Sequence, residues 1–167
     1  MFDQAGDGVE ADQGLAPSGF SMLQAKEERP MYSHIMIPVD LHLPPEVRKA
    51  AKVAAAIAEW QGAKITLVSV TGTQPGDPVQ SDAAIDKNLR DFAKQLAESS
   101  GTEVAYRNIH SVDVAAEVDG DLTRTAEEIE ADLIVVGTHA PRITDYIFSS
   151  HAGYLAKHAS VSVFVVR

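Results

Sequence analysis

Two short stretches hold the residues best placed to do chemistry. After the apolar run "DLIVV", Gly137 opens "GTHAPRITDYIFSSHAGYLAKHA", which carries His139, Ala140 and Arg142, then Ser149, Ser150 and His151. A glycine directly after a strand lets the backbone turn sharply or approach a ligand closely. Two serine hydroxyls in front of a helix join N–H groups that are unpaired and partly positive, a combination that suits a phosphate. Serine is also a preferred cap on any helix, and glycine after a strand is ordinary punctuation, so spacing alone leaves phosphate cradle and plain crossover both open. The second stretch, "HIMIPVD", ends in Pro38, Val39 and Asp40; an aspartate there also serves as a turn or cap residue.

These residues can meet only if the intervening elements bring them together. From Ser33 the chain alternates short apolar runs with helical patterns. "HIMIPVD" is a first strand, and Pro44 and Pro45 open the Ala-rich helix "EVRKAAKVAAAIAEWQG", closed by Gly62. "KITLVSV" is a buried strand; after the loop "TGTQPGDPVQSD", Ser81 or Asp82 caps the helix "AAIDKNLRDFAKQLAESS", which stops at Gly101. "EVAYRNIH", with weaker alternation, suits an edge strand; "VDGDLTRTAEEIEA" is a third helix with Leu122, Ala126 and Ile129 on one face. "DLIVV" and "VSVFVVR" are further strands, separated by the helix "SHAGYLAKHA". Trp60, Phe92 and the helix alanines are expected in the core.

Five apolar strands separated by helices require parallel pairing through right-handed crossovers, a doubly wound five-stranded α/β sheet. Ligands of such sheets sit beyond the carboxyl ends of the strands, where strand order reverses. That directs attention to residues 38–40, 70–72, 110–113 and 137 onward.

The chain of 167 residues is 45% apolar, enough for one domain, here residues 31–167. Its formal net charge of -10 works against nucleic acid or an anionic membrane as main partner, and the absence of cysteine excludes disulfides, thiolate metal sites and cysteine nucleophiles. Residues 1–30 are acidic, carry scattered Gly and Pro, show no sustained apolar period, and are expected to be a disordered extension. Neither a signal-peptide pattern nor an apolar run of membrane-spanning length is present, so the expected location is cytoplasmic, with no membrane insertion. The six histidines are dispersed, and no general base stands beside Ser149 or Ser150 in the sequence, so any phosphoryl chemistry there would be slow. A receiver domain would need a phosphoacceptor Asp after the third strand, where His110 stands, and a Lys after the fifth, where the chain ends at Arg167.

"HIMIPVD", "ADLIVVGTHAP" and "DYIFSSHAGYLAKHASVSVFVVR" resemble the universal stress protein family over residues 32–167. The resemblance implies an adenine-nucleotide alpha-hydrolase-like sheet of order 3-2-1-4-5. Many members bind ATP through G-2x-G-9x-G-[ST]; Gly137 matches its first glycine and Ser150 its final Ser or Thr, while Ala140 and Ser149 stand where glycines are expected. The loop is one residue short, as in a subgroup with "SHRP" and "YLLGSNA", which "THAP" and "YIFSSHA" echo with Ala140 in place of Arg. A Cβ at Ala140 or Ser149 in a glycine conformation costs roughly 1 kcal/mol, and the missing Arg removes a charged phosphate contact; Arg142, two positions along, is either its substitute or, the plainer reading, a solvated loop arginine.

By the same resemblance, Pro38, Val39 and Asp40 line adenine and ribose, and Val70 meets adenine through its backbone. Val136, Gly137, His139, Ala140, Arg142, Ser149, Ser150 and His151 complete the ATP-binding set. The implied ligand is ATP, or AMP or ADP, with Mg²⁺ arriving on the nucleotide. The implied assembly is a homodimer through residues 161–166, acting as a stress-response sensor or regulator through an unidentified protein partner more than as an enzyme, with slow ATP hydrolysis or autophosphorylation at Ser150 as a further alternative. The alternative is a nucleotide-free dimeric interaction module with a degenerate phosphate loop. His139 and His151 flank the pocket, with an exposed loop or cap position the plainer reading of both, and His158 suits the C-terminal end of its helix.

Overall fold

The structure, a computed structural model, describes residues 30–41, 48–72, 82–138 and 146–167, with residues 115 and 146–150 described by backbone alone. The extension at 1–30 lies, apart from Pro30, outside them. The elements in chain order are β1 (His34–Pro38), α1 (Lys49–Gln61), β2 (Lys64–Gly72), α2 (Asp82–Ser100), β3 (Val104–Ser111), α3 (Val114–Glu128), β4 (Leu133–Gly137), α4 (Tyr146–His158) and β5 (Ser162–Val166).

All strand pairs are parallel, and the sheet order is β3-β2-β1-β4-β5, as expected from the alternation and the resemblance. The chain winds outward from β1 to β3, then returns to β4 on the other side of β1. Because each crossover keeps one hand, this reversal places α1 and α2 on one face and α3 and α4 on the other. Two cores result. Ile35, Ile37, Ile65 and Leu67 pack with α1 and α2, while Met36, Val68, Ile134 and Val136 pack with α3 and α4.

α1 approaches the sheet closely because its inward residues Ala50, Ala51, Ala54 and Ala58 are small and buried. Gly62, at φ 67°, closes the helix in the left-handed conformation that glycine adopts at little cost. Trp60 does not join the core: it is 80% exposed, because it lies two residues, about 200° of helical rotation, beyond the buried Ala58. Phe92 is buried as expected. α1 starts at Lys49, later than "EVRK" implies, with Arg48 flanking it in a non-helical conformation. α3 starts four residues earlier than its apolar face indicates, because Asp113 caps it by accepting from the Ala116 N–H.

The starts of β1 and β4 are held by one carboxylate. Asp132 accepts hydrogen bonds from the Ser33 N–H and hydroxyl, both at 2.7 Å, and from the His34 N–H at 3.1 Å. Burial pushes this carboxyl up, but the hydrogen bonds from Ser33 and His34 outweigh it and leave it below its ordinary value. A depressed folded value means its contribution is complete above the unfolded range near pH 4 and is lost as pH falls through the lowered value. With partial exposure screening the charge, Asp132→Asn is expected to cost about 1 kcal/mol at pH 7. The gap between parent and variant should narrow at pH 3 in urea denaturation; an equal gap at both pH values would show that the charge contributes nothing. Next to it, burial and then the Lys64 charge lower the imidazole of His34, whose Nε2 lies 2.8 Å from Thr66 Oγ1.

Candidate functional site

The strand order reverses at β1, so a mouth lies beyond the carboxyl ends of β1 and β4. On one side of it, Pro38 ends β1. The Val39 N–H donates to the Val68 carbonyl at 2.8 Å, carrying β1 one residue further along β2, and the Val39 side chain packs on the α1–α2 core. Asp40 follows, partly exposed, at the point where the chain leaves the sheet.

Val70 and Val136 turn their side chains into the α3–α4 core, Val136 being buried. Val70 remains partly exposed.

Gly137 ends β4, and its φ does not lie in the left-handed region. A Cβ placed on it would lie 3.4 Å from the Cβ of Ala50. That is ordinary contact, so α1 comes near this strand end without requiring a glycine there. Directly after it, the Thr138 N–H donates to the Val166 carbonyl at 2.8 Å and prolongs the β4–β5 pairing.

The helix beyond the mouth begins at Tyr146, so Ser149 and Ser150 fall inside α4 and do not precede it. The serine pair reads as an N-cap because serine favours that position, but a first turn also accommodates serine and Tyr146–Phe148 are compatible with helix. The free N–H groups accordingly belong to the turn that starts at Tyr146. His139, Ala140 and Arg142 lie outside the described residues, as do the side chains of Ser149 and Ser150.

His151 is buried, at 7% exposure, contrary to the expected loop or cap position. Its Nδ1–H donates to Asp119 Oδ1 of α3 at 2.5 Å. That bond ties α4 to α3 one turn below the start of α4. Asp119 is a residue the sequence reading missed, and its partner lies 32 positions away, beyond the reach of any local pattern.

Two cations stand at the first turn of α1. The Lys49 ammonium donates to the carbonyl of Arg167, drawing the end of the chain over α1, and the Arg48 guanidinium lies 4.1 Å from the centre of the Phe92 ring. Among the described residues no three His, Asp or Glu side chains gather to hold a metal ion. No helix among them is long and apolar enough to cross a membrane.

A family model described as the universal stress protein family matches residues 31–167. Universal stress protein G of Salmonella typhimurium is 27% identical over 146 residues, covering 82% of this chain and all of that protein. The protein of the same name from Shigella flexneri matches with the same identity and coverage. Among solved structures, a universal stress protein in complex with cAMP has a TM-score of 0.61 at 23% identity, covering 81% of this chain and 97% of that one. The universal stress protein of Archaeoglobus fulgidus in complex with dAMP has a TM-score of 0.58 at 21% identity, covering 81% of this chain and 98% of that one. At these identities the structural likenesses establish the fold.

Proposed function

The chain belongs to the universal stress protein family, and on that premise we propose that it is a cytoplasmic regulator that binds an adenine nucleotide, ATP foremost, in the mouth between β1 and β4. The observation that carries this reading is the convergence of the Pro38–Asp40 end of β1 and the Val136–Gly137 end of β4 at the reversal of strand order. Two relatives of the same fold hold adenine nucleotides, cAMP and dAMP. Asp40 receives the ribose or base, and the phosphates lie toward the first turn of α4. With no three-ligand cluster among the described residues, Mg²⁺ would be held chiefly by the phosphates.

β5 lies at the edge of the sheet with Phe164 and Val165 exposed, 48% and 39% respectively. An unpaired edge carrying apolar side chains favours a second copy, and the proposed assembly is an isologous dimer through residues 161–166. The output is a surface read by a protein partner.

A second reading is favoured by Ala140 and Ser149 at the glycine positions and by His151 being bonded to Asp119 instead of standing free for a phosphate. In it the chain is a nucleotide-free dimeric interaction module. Mass spectrometry of the purified protein for bound nucleotide, with calorimetric titration of ATP, AMP and GTP and light scattering for mass, separates the two. Asp40→Ala is expected to weaken adenine-nucleotide binding at least about tenfold. Absence of heat with every adenine nucleotide would establish the module reading.

A further inference from the structure

The end of β3 and the outer sides of α3 and α4 enclose a cleft of about 460 Å³, and none of the mouth residues Pro38, Val39, Asp40 or Gly137 lines it. Its walls include Val112, 76% exposed, and Tyr154, 40% exposed, two of the larger apolar side chains that face solvent. Ala116 and Gly120 are four residues apart on α3, so they stand one above the other, and a Cβ on Gly120 would meet nothing within 4 Å. The floor is therefore open and the two exposed apolar groups stand beside it.

The rim is acidic. Of the carboxylates of α3, Glu117, Asp119 and Asp121 line the cleft, with His110 and the cation Arg124 beside them; Glu128, not among the lining residues, pairs with Arg107 at 2.7 Å. Arg124 is already bonded to Asp121 and lies 3.8 Å from Glu128. Glu117 accepts from the Ser111 hydroxyl at 2.7 Å and from the Asp113 N–H, and these bonds hold its carboxyl below the usual range.

This charge pattern selects among occupants. Residues 1–29 bring six acidic and two basic side chains and so meet like charge here, while the second copy of the proposed dimer is seated on residues 161–166, none of which lines the cleft. We propose that the α3–α4 cleft docks a Lys- or Arg-bearing amphipathic segment of a partner protein, with one large apolar side chain entering over Gly120 beside Tyr154. Basic side chains on that segment face Glu117 and the neighbouring Asp119 and Asp121. This deepens the proposed function in one respect, that the regulator's output is read by a protein. Tyr154 of α4 faces the cleft, and the His151–Asp119 bond holds the helix to α3 one turn nearer its start.

The test places a photo-crosslinking amino acid at position 112 or 154 of the full chain in its native host, with position 98 on the outer face of α2 as control. Adducts from 112 and 154, and none from 98, should map to a partner segment with Lys or Arg and a large apolar residue. That segment as a synthetic peptide should bind at least tenfold tighter at 50 mM than at 300 mM salt. Gly120→Leu, which fills the floor, and Glu117→Gln should each weaken it severalfold or more, with unchanged circular dichroism. Adducts to a second copy, to residues 1–29, or to a segment without basic residues overturn the proposal, as do salt-independent affinity and the absence of any adduct at both positions. Calorimetry with ATP on Gly120→Leu keeps the two readings apart, because the nucleotide mouth shares no lining residue named here with the cleft.

Discussion

Truncating Leu155 to alanine is expected to cost about 3 kcal/mol of folding stability, within the range that buried leucine deletions show. Leu155 is fully buried and belongs to the cluster that includes Met36, Ile134, Val136, Leu122 and Ala126, so it seats α4 on the sheet and against α3. The cavity it leaves is lined by strand residues that cannot collapse without breaking sheet pairing, which argues for a cost well above the bare transfer term. For a domain of this size the loss corresponds to a fall in Tm of roughly 10 °C. Leu155→Met, which nearly conserves volume, should lose under about 1.5 kcal/mol. Differential scanning calorimetry of the three proteins checks this. A fall of only a degree or two in the alanine variant would mean that α4 is not held by this contact.

The same residues show how much of the architecture can be read from a sequence and where the reading stops. Parallel pairing is accessible because helices must carry the chain between the strands with one hand of crossover, whereas the order 3-2-1-4-5 is implied by the family resemblance alone. Phe92, Ala50, Ala51, Ala54 and Ala58 lie in the core where helical spacing puts them, whereas Ala56 and Trp60, apolar by type, stand at angles that face solvent, and the angle decides. The start of α3 was missed because Asp113 caps residues that lack an apolar stripe, and the start of α4 because a Ser-Ser pair is so often a cap.

In the mouth, the backbone at Pro38–Asp40 and Val136–Gly137 could be placed because it follows from strand ends alone. The His151–Asp119 bond could not, since it depends on how two helices, parallel to each other, settle side by side. Nor could the approach of Ala50 to Gly137, a contact across 87 positions of sequence. Long-range packing of this kind leaves no local signature. The central part of the implied phosphate loop, His139 through Arg142, lies outside the described residues.

The Gly137–Ala50 approach supplies the second large effect. Gly137→Ala should be tolerated, because the backbone there has no left-handed φ and the added Cβ meets the Ala50 Cβ at 3.4 Å, the near edge of ordinary contact. Gly137→Val adds two further methyl groups on a stiff branch. One face of that branch is closed by α1, whose own inward residues are already buried against the sheet, so the methyls must press on Ala50 or occupy the mouth. Overpacking of this kind costs about 2 kcal/mol, and a methyl group in the mouth blocks backbone that a nucleotide would reach. The expected result is parent-like stability and adenine-nucleotide affinity for the alanine variant, against a lower urea midpoint and an affinity reduced at least about tenfold for the valine variant. Affinity that survives Gly137→Val unchanged would place the nucleotide away from the β4 end of the mouth, however well the variant folds.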